Sequence, residues 1–346
     1  MSIKDKFQSV LADLPPAYFA MVMATGIVSI ASHMLGFRIV AEPLLLLNIL
    51  FYVLLWIFTL LRLLFFPRNI FHDLKDHLRG VGFFTMVAGT CVLGSQCVIL
   101  FQGYLWGTIL LIIGTALWAI LIYAVFTGLI IRSDKPSLEE GISGVWLVAV
   151  VATQSVSVLI NRVAPYFPPD RELLSFASFC LFLLGGLLYI LIISLIFYRL
   201  LFFPLKPEKV TPPYWVNMGA VAISTLAGAT LLISGKELPF LTHLRPFIMG
   251  MTILFWSVAT WWIPLLILLY GWRHLCGKVR FSYDPQYWSM VFPLGMYTTC
   301  TLQLAGAANL DFLMPIPRYF IFAALLAWLL TFVGLLKKIF QFFHDP

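Results

Sequence analysis

Apolar residues run along this chain in ten long blocks, separated by short stretches rich in proline, glycine, serine and charge. About 20 consecutive apolar residues cover the hydrocarbon core of a bilayer as a helix. The blocks predict spans at 17–36, 43–66, 81–102, 104–131, 142–160, 173–203, 215–234, 247–271, 287–309 and 318–340. The punctuation between them, such as "RSDKPSLEEG", "APYFPPDRE", "LKPEKVTPP" and "SYDPQ", is loop chemistry. Two kinds of block alternate. Even-numbered blocks read as near-continuous Leu, Ile, Phe and Trp, as in "LLLLNILFYVLLWIFTLLRLLFF". Odd-numbered blocks carry most of the polar side chains, among them Thr25, Thr90, Thr153, Gln154, Asn217, Thr298, Thr299 and Gln303. Polar groups in hydrocarbon need partners or water. The pattern therefore predicts odd helices inside and even helices facing lipid.

The odd blocks also open alike. They read "YFAMVMATG" from Tyr18, "FFTMVAGTC" from Phe83, "VWLVAVVAT" from Val145, "YWVNMGAVA" from Tyr214 and "YWSMVFPLG" from Tyr287. Each repeat is one helical hairpin, and all five point the same way. Parallel repeats imply rotation about an axis along the membrane normal. The expected architecture is all-α: ten helices as five hairpins in a pseudo-fivefold ring, with the odd helices lining a central pore.

Aligned on the second aromatic position, each repeat has a small residue seven places later: Gly26, Cys91, Thr153, Ala222 and Gly295. Small side chains facing an axis leave a hole; small residues also let helices pack closely, and both readings can hold at once. Four places after the aromatic stand Met23, Ala88, Val150, Gly219 and Phe292. Offsets of four and seven share a helix face. Phe292 is the one large ring in that column, and it precedes Pro293. A proline removes one backbone donor and frees the carbonyl four residues back, at Ser289. The pattern predicts that Phe292 plugs a narrow conduit and that Pro293 helps aim it. The bland reading of each residue alone is structural, since prolines and core phenylalanines are common in membrane helices.

Composition agrees with a membrane protein: of 346 residues, 61% are hydrophobic and 11% charged, against about a quarter charged in soluble domains. No hydrophilic block is long enough to fold separately, so residues 1–346 are expected to form one transmembrane domain. The first block lacks a small-residue cleavage site and reads as a mature helix. The net charge of +7 would suggest nucleic acid in a soluble protein. Here it follows from the positive-inside bias, and no nucleic-acid partner is expected. With the N-terminus cytoplasmic, only Arg38, Arg162, Arg171, Lys236, Arg245 and Arg318 of the 22 Lys and Arg fall on the far side. Both termini are thus expected in the cytoplasm, and the protein in the inner or plasma membrane.

No Asp, Glu, Lys or Arg falls in the middle of an odd block. A cation path usually shows intramembrane carboxylates, so the path suits an anion or a neutral solute. Thr25, Thr90, Thr153, Thr298 and Thr299 are the expected hydroxyl lining. The alternative is a proton-coupled secondary transporter of C4-dicarboxylate or sulfite, for which His33 is the one relay candidate; its ordinary reading is a hydrogen-bonded interfacial histidine. The five cysteines show no metal-ligand spacing and look like packing residues. "HDLKDH", His72 to His77, has two histidines and two acids, but Lys75, Arg68 and Arg79 suit an interfacial cytoplasmic helix better. No nucleophile motif or phosphate loop is visible. No enzyme activity, cofactor or metal is expected, and a scaffold without transport has no use for polar inner helices.

The segments "LPPAYFAMVMATGIVSIA", "GFFTMVAGTCVLGSQ", "PPYWVNMGAVAISTLAGA" and "YWSMVFPLGMYT" resemble the tellurite-resistance/dicarboxylate transporter family. That family includes bacterial tellurite-resistance proteins, fungal malate permeases and sulfite exporters, and plant slow anion channels. The likeness covers essentially the whole chain. It implies five hairpins around a pore, a homotrimer with one pore per subunit, and a gating phenylalanine in the ninth helix just before a proline. By motif that position is Phe292. The substrates it implies are small anions: chloride, nitrate, sulfite or C4-dicarboxylates.

Overall fold

The computed structural model of the protein describes residues 3–280 and 282–344, with the side chains of Ile3, Lys4 and Phe343 excepted. Lys4, one of the basic residues on the expected cytoplasmic side, therefore has its side chain outside the described set. Among the described residues there is no strand. Ten long helices follow one another: α1 Ala20–Met34, α2 Arg38–Phe65, α3 Phe84–Phe101, α4 Tyr104–Ile131, α5 Val148–Val163, α6 Arg171–Phe202, α7 Val216–Ser234, α8 Pro239–Gly271, α9 Trp288–Ala308 and α10 Pro315–His344.

The predicted spans differ from these at several ends, two of which bear on the site. α8 starts eight residues earlier than expected, because Pro239 sits at its first turn and Pro246 is accommodated inside the helix. α5 runs on to Val163, so Arg162 lies in its last turn instead of a loop. Among the described residues nine helices are long and apolar enough to cross a membrane on length and composition alone. α9 is not one of them, since its 21 residues hold three threonines, a glutamine and a serine. It packs between α1, α7 and α10 like a member of the same bundle.

All five odd helices begin with a 3-10 turn: Pro16–Phe19, Gly80–Phe83, Gly144–Leu147, Pro212–Trp215 and Pro285–Tyr287. These turns pack on one another in a closed circuit, with the first against the last. The approach is closest where a Cβ on Gly144 would stand 2.1 Å from the carbonyl oxygen of Pro213. Only a glycine lets two backbones meet this way. The helices above repeat the circuit: α1 packs on α3, α3 on α5, α5 on α7, α7 on α9, and α9 on α1. Each even helix lies against its own odd partner and against the next odd helix, and α10 closes onto α1.

Burial separates the layers as the polarity predicts. In α1, α3, α5 and α7, with their initial turns, 78, 89, 89 and 94% of the apolar window is buried; in the even helices the share is 22 to 39%. One repeated hydrogen bond joins the layers. An aromatic side chain of an outer helix reaches the inner helix that follows it. Tyr52 of α2 bonds Thr90 at 3.0 Å, and the Trp118 indole of α4 donates to Thr153 at 2.9 Å. Tyr189 of α6 donates to the Asn217 carbonyl at 3.2 Å, and Trp256 of α8 to Thr301 at 3.0 Å. Trp328 of α10 completes the set by donating to Thr25 at 3.0 Å. In hydrocarbon such a bond stabilises by about 0.6 to 2 kcal/mol.

Candidate functional site

Two cavities lie within the five inner helices. The wider one opens among the 3-10 turns, with about 400 Å³ of space, and is lined from every repeat: Tyr18, Thr85, Val148, Tyr214 and Ser289 among others. Its charged groups nearly balance, with Arg79, Arg199 and Lys209 against Glu139, Glu140 and Asp284. Arg199, almost fully buried, donates through Nε to the Glu139 carbonyl at 2.8 Å and through a second nitrogen to the Tyr214 hydroxyl.

The second cavity lies toward the opposite ends of the helices and holds about 20 Å³, room for a single water molecule. Again all five inner helices line it. α1 gives Ile27 and Ile30, α3 gives Cys91, Val92, Ser95 and Ile99, and α5 gives Ser155, Val158 and Arg162. α7 gives Ile223 and Leu226, and α9 gives Met296 and Thr299.

Between the cavities the bundle is packed solid. Ser289 lines one cavity and Met296 the other; they are two helical turns apart, about 10 Å. In that interval stand Met23, Ala88, Gly219 and Phe292, all buried, with Phe292 at 0% exposure. Pro293 lies inside α9 without ending it. The carbonyl it frees belongs to Ser289, which borders the wide cavity where water can satisfy it. Gly219 faces this proline: a Cβ there would be 2.7 Å from Pro293 Cγ.

The candidate lining residues divide. Cys91 and Thr299 face the narrow cavity. Thr25, Thr90 and Thr153 instead direct their hydroxyls at Trp328, Tyr52 and Trp118 of the outer layer. Thr298 donates to the Leu294 carbonyl at 3.1 Å. Gly26 lies against Val92 and Asn48, and Gly295 against Ile27 and Val28, so both serve helix contacts. Ala222 is fully buried and takes no part in the cavity wall.

Helix α5 carries a one-residue shift of register. In the other four inner helices the cavity wall falls eight and eleven places after the aromatic: Ile27 and Ile30, Val92 and Ser95, Ile223 and Leu226, Met296 and Thr299. In α5 it falls at Ser155 and Val158, which counts from Leu147 and puts Val151 in the packed layer in place of Val150. Both valines are fully buried. The Trp146 ring is only half-buried and donates to the Gly141 carbonyl at 2.8 Å, leaving the core position to Leu147, which is fully buried.

Arg162 was expected outside the bundle. It lines the narrow cavity, and its Nε is buried without a hydrogen-bond partner. The signal available in sequence was its spacing, seven residues after Ser155. The "HDLKDH" segment forms ion pairs: Asp73 bonds Arg62 and Arg79, each at 2.8 Å, and Arg79 reaches Asp13 at 2.9 Å. Among the described residues no group of three or more His, Cys, Asp or Glu could hold a metal ion.

Known proteins are similar to this chain in sequence. The chain is 23% identical to the sulfite efflux pump SSU1 of Trichophyton rubrum, over 93% of this chain and 90% of that one. It is 23% identical to the uncharacterized transporter MJ0576 of Methanocaldococcus jannaschii, over 83% of this chain and 82% of that one. An uncharacterized membrane protein of Mycobacterium tuberculosis, Rv1735c, is 39% identical over 44% of this chain and 77% of its own length. Residues 13–336, nearly the whole bundle, match the family described as voltage-dependent anion channel, SLAC1, and the chain belongs to that family of membrane transport proteins.

Proposed function

We propose that small anions cross the membrane along the axis of the five inner helices, and that Phe292 is the plug that must move to let them pass. One observation carries this reading: two cavities, each lined by all five inner helices, separated by a layer whose one large ring is Phe292. A dry apolar constriction blocks ions by refusing to wet, and a bare charge in such a layer costs tens of kcal/mol by Born solvation. Opening therefore requires a side chain to leave the axis. Among the layer residues only Phe292 is both large and set beside a proline, where the helix has lost one of its own hydrogen bonds.

Neither the layer nor the narrow cavity contains Asp or Glu, which supports anions over cations and gives no carboxylate for proton coupling. The similarity to a fungal sulfite efflux pump supports a compact anion. We place the 3-10 turns and both termini in the cytoplasm, following the distribution of Lys and Arg. The three-subunit assembly that the family resemblance implies belongs to the same reading.

The test is anion flux from liposomes over a panel of chloride, nitrate, sulfite and a C4-dicarboxylate. Phe292→Ala should raise flux of the permeant anions at least about tenfold. Phe292→Leu, which keeps an apolar plug, should stay near the parent. Unchanged flux in a Phe292→Ala protein that inserts and remains monodisperse would remove this residue as the gate.

A further inference from the structure

Arg162 is only partly exposed. It occupies the last turn of α5, an inner helix, where a charge is costly unless something compensates it. Among the described residues it has neither an ion-pair partner nor a hydrogen-bond acceptor, and its Nε is closed off from solvent. The other basic side chains near the bundle behave differently. Arg62 and Arg79 are held by Asp73, Arg171 by Glu237 at 2.8 Å, and Arg199 by a carbonyl and a tyrosine. Arg245 donates to the carbonyls of Leu232 and Ala307.

The cavity it faces is suited to a ligand of opposite sign. No carboxylate lines it, and apart from the guanidinium its polar side chains are Ser95, Ser155, Thr299 and the Cys91 thiol. Ser155 and Thr299 give their protons to carbonyls one turn back. Ser95 makes no hydrogen bond within the described protein and keeps its proton to donate. The remaining wall is Ile, Val, Leu and Met.

We propose that Arg162 and Ser95, with this cavity, form a binding subsite for one small monatomic anion of halide size on the far side of the Phe292 layer. The subsite deepens the anion-path reading and rests on it. An unpaired guanidinium is compensated when an anion binds, and the cavity admits one water-sized particle. The apolar wall offers few further donors, so the anion is attracted by a single charge and can leave again. The subsite would set charge selectivity, whereas Phe292 sets whether anything passes.

Two arms test it on the full-length protein. In the first, thermal unfolding of the detergent-solubilised protein is followed in sodium chloride and in sodium gluconate, whose anion is too large for the cavity. Chloride should raise Tm of the parent and of Arg162→Lys, and leave Arg162→Gln unmoved. An equal chloride-dependent rise in Arg162→Gln overturns the subsite. In the second, the chloride-to-sodium permeability ratio is measured in the Phe292→Ala background. Adding Arg162→Gln should lower it by about tenfold, and Arg162→Lys should preserve it. A ratio that Arg162→Gln leaves within about twofold overturns the selectivity role. If Phe292→Ala passes no anion at all, the transport reading fails first, and the chloride-dependent Tm still decides whether Arg162 binds.

Discussion

The inner and outer helices of this protein cross the same bilayer with opposite compositions. The outer layer is apolar because lipid is its solvent. The inner layer is more polar, yet it is the more deeply buried of the two. In water the hydrophobic effect would sort residues the other way. Within a membrane, apolar surface gains little from being buried, and helices associate through close packing and cross-helix hydrogen bonds. Small residues and hydroxyls therefore mark the inside. Gly144, Gly219 and Gly228 let backbones or side chains approach, and Thr25, Thr90, Thr153 and Thr301 receive the outer rings.

The contrast can be broken hardest at its tightest point. Gly144→Val would drive a branched side chain into the Pro213 backbone, and we expect a loss of about 3 kcal/mol or more, read as loss of monodisperse protein on size exclusion. A variant as stable as the parent would mean that the ring of 3-10 turns does not hold the inner helices. Next comes the clasp between layers. A double-mutant cycle of Trp118→Phe and Thr153→Val should give a coupling of about 1 kcal/mol in detergent unfolding, and zero coupling would reduce the repeated aromatic bond to simple contact. On the lipid side, Leu64→Ala, at a position 74% exposed, should change stability by less than about 0.5 kcal/mol.

The smallest effect expected is a pH dependence outside the bilayer. Burial alone would push the Asp76 carboxyl up, but N–H bonds from Arg79 and Leu78, together with nearby Arg132 and His72, hold it below its ordinary value. A lowered folded-state pKa contributes stability that is fully present above the ordinary carboxylate value near 4 and is lost as pH falls through the folded value. Tm should therefore decline slightly more in the parent than in Asp76→Asn as pH drops below about 4.

Much of this arrangement was legible in the chain. The aromatic-rich onset of each odd helix marks the 3-10 turns, and Met23, Ala88, Gly219 and Phe292 of the expected column are all buried. What the spacing could not choose was the angle beyond it. Offsets of seven and eight both lie near the fourth position on a helical wheel, about 60° to one side and about 40° to the other. The column at seven drew attention because its residues are small, yet Gly26 and Gly295 are small to fit neighbouring helices. The wall of the narrow cavity falls at eight, on Ile27, Val92, Ile223 and Met296. The shift in α5 was hidden because its Trp146 looked equivalent to the other rings, whereas its indole is spent on the Gly141 carbonyl. Arg162 was passed over because charge near a helix end usually reaches solvent, and nothing in a linear sequence distinguishes an end that turns outward from one that faces in.

The bond from Trp328 to Thr25 spans 303 positions of sequence. Helix α10 must therefore be made before α1 is secured. Until it arrives, α1 lacks its outer clasp and the bundle has an open seam on one side. A nascent chain would carry threonines and glutamines beside lipid through most of its synthesis, and quality control would find its easiest target in any product that stops before residue 328.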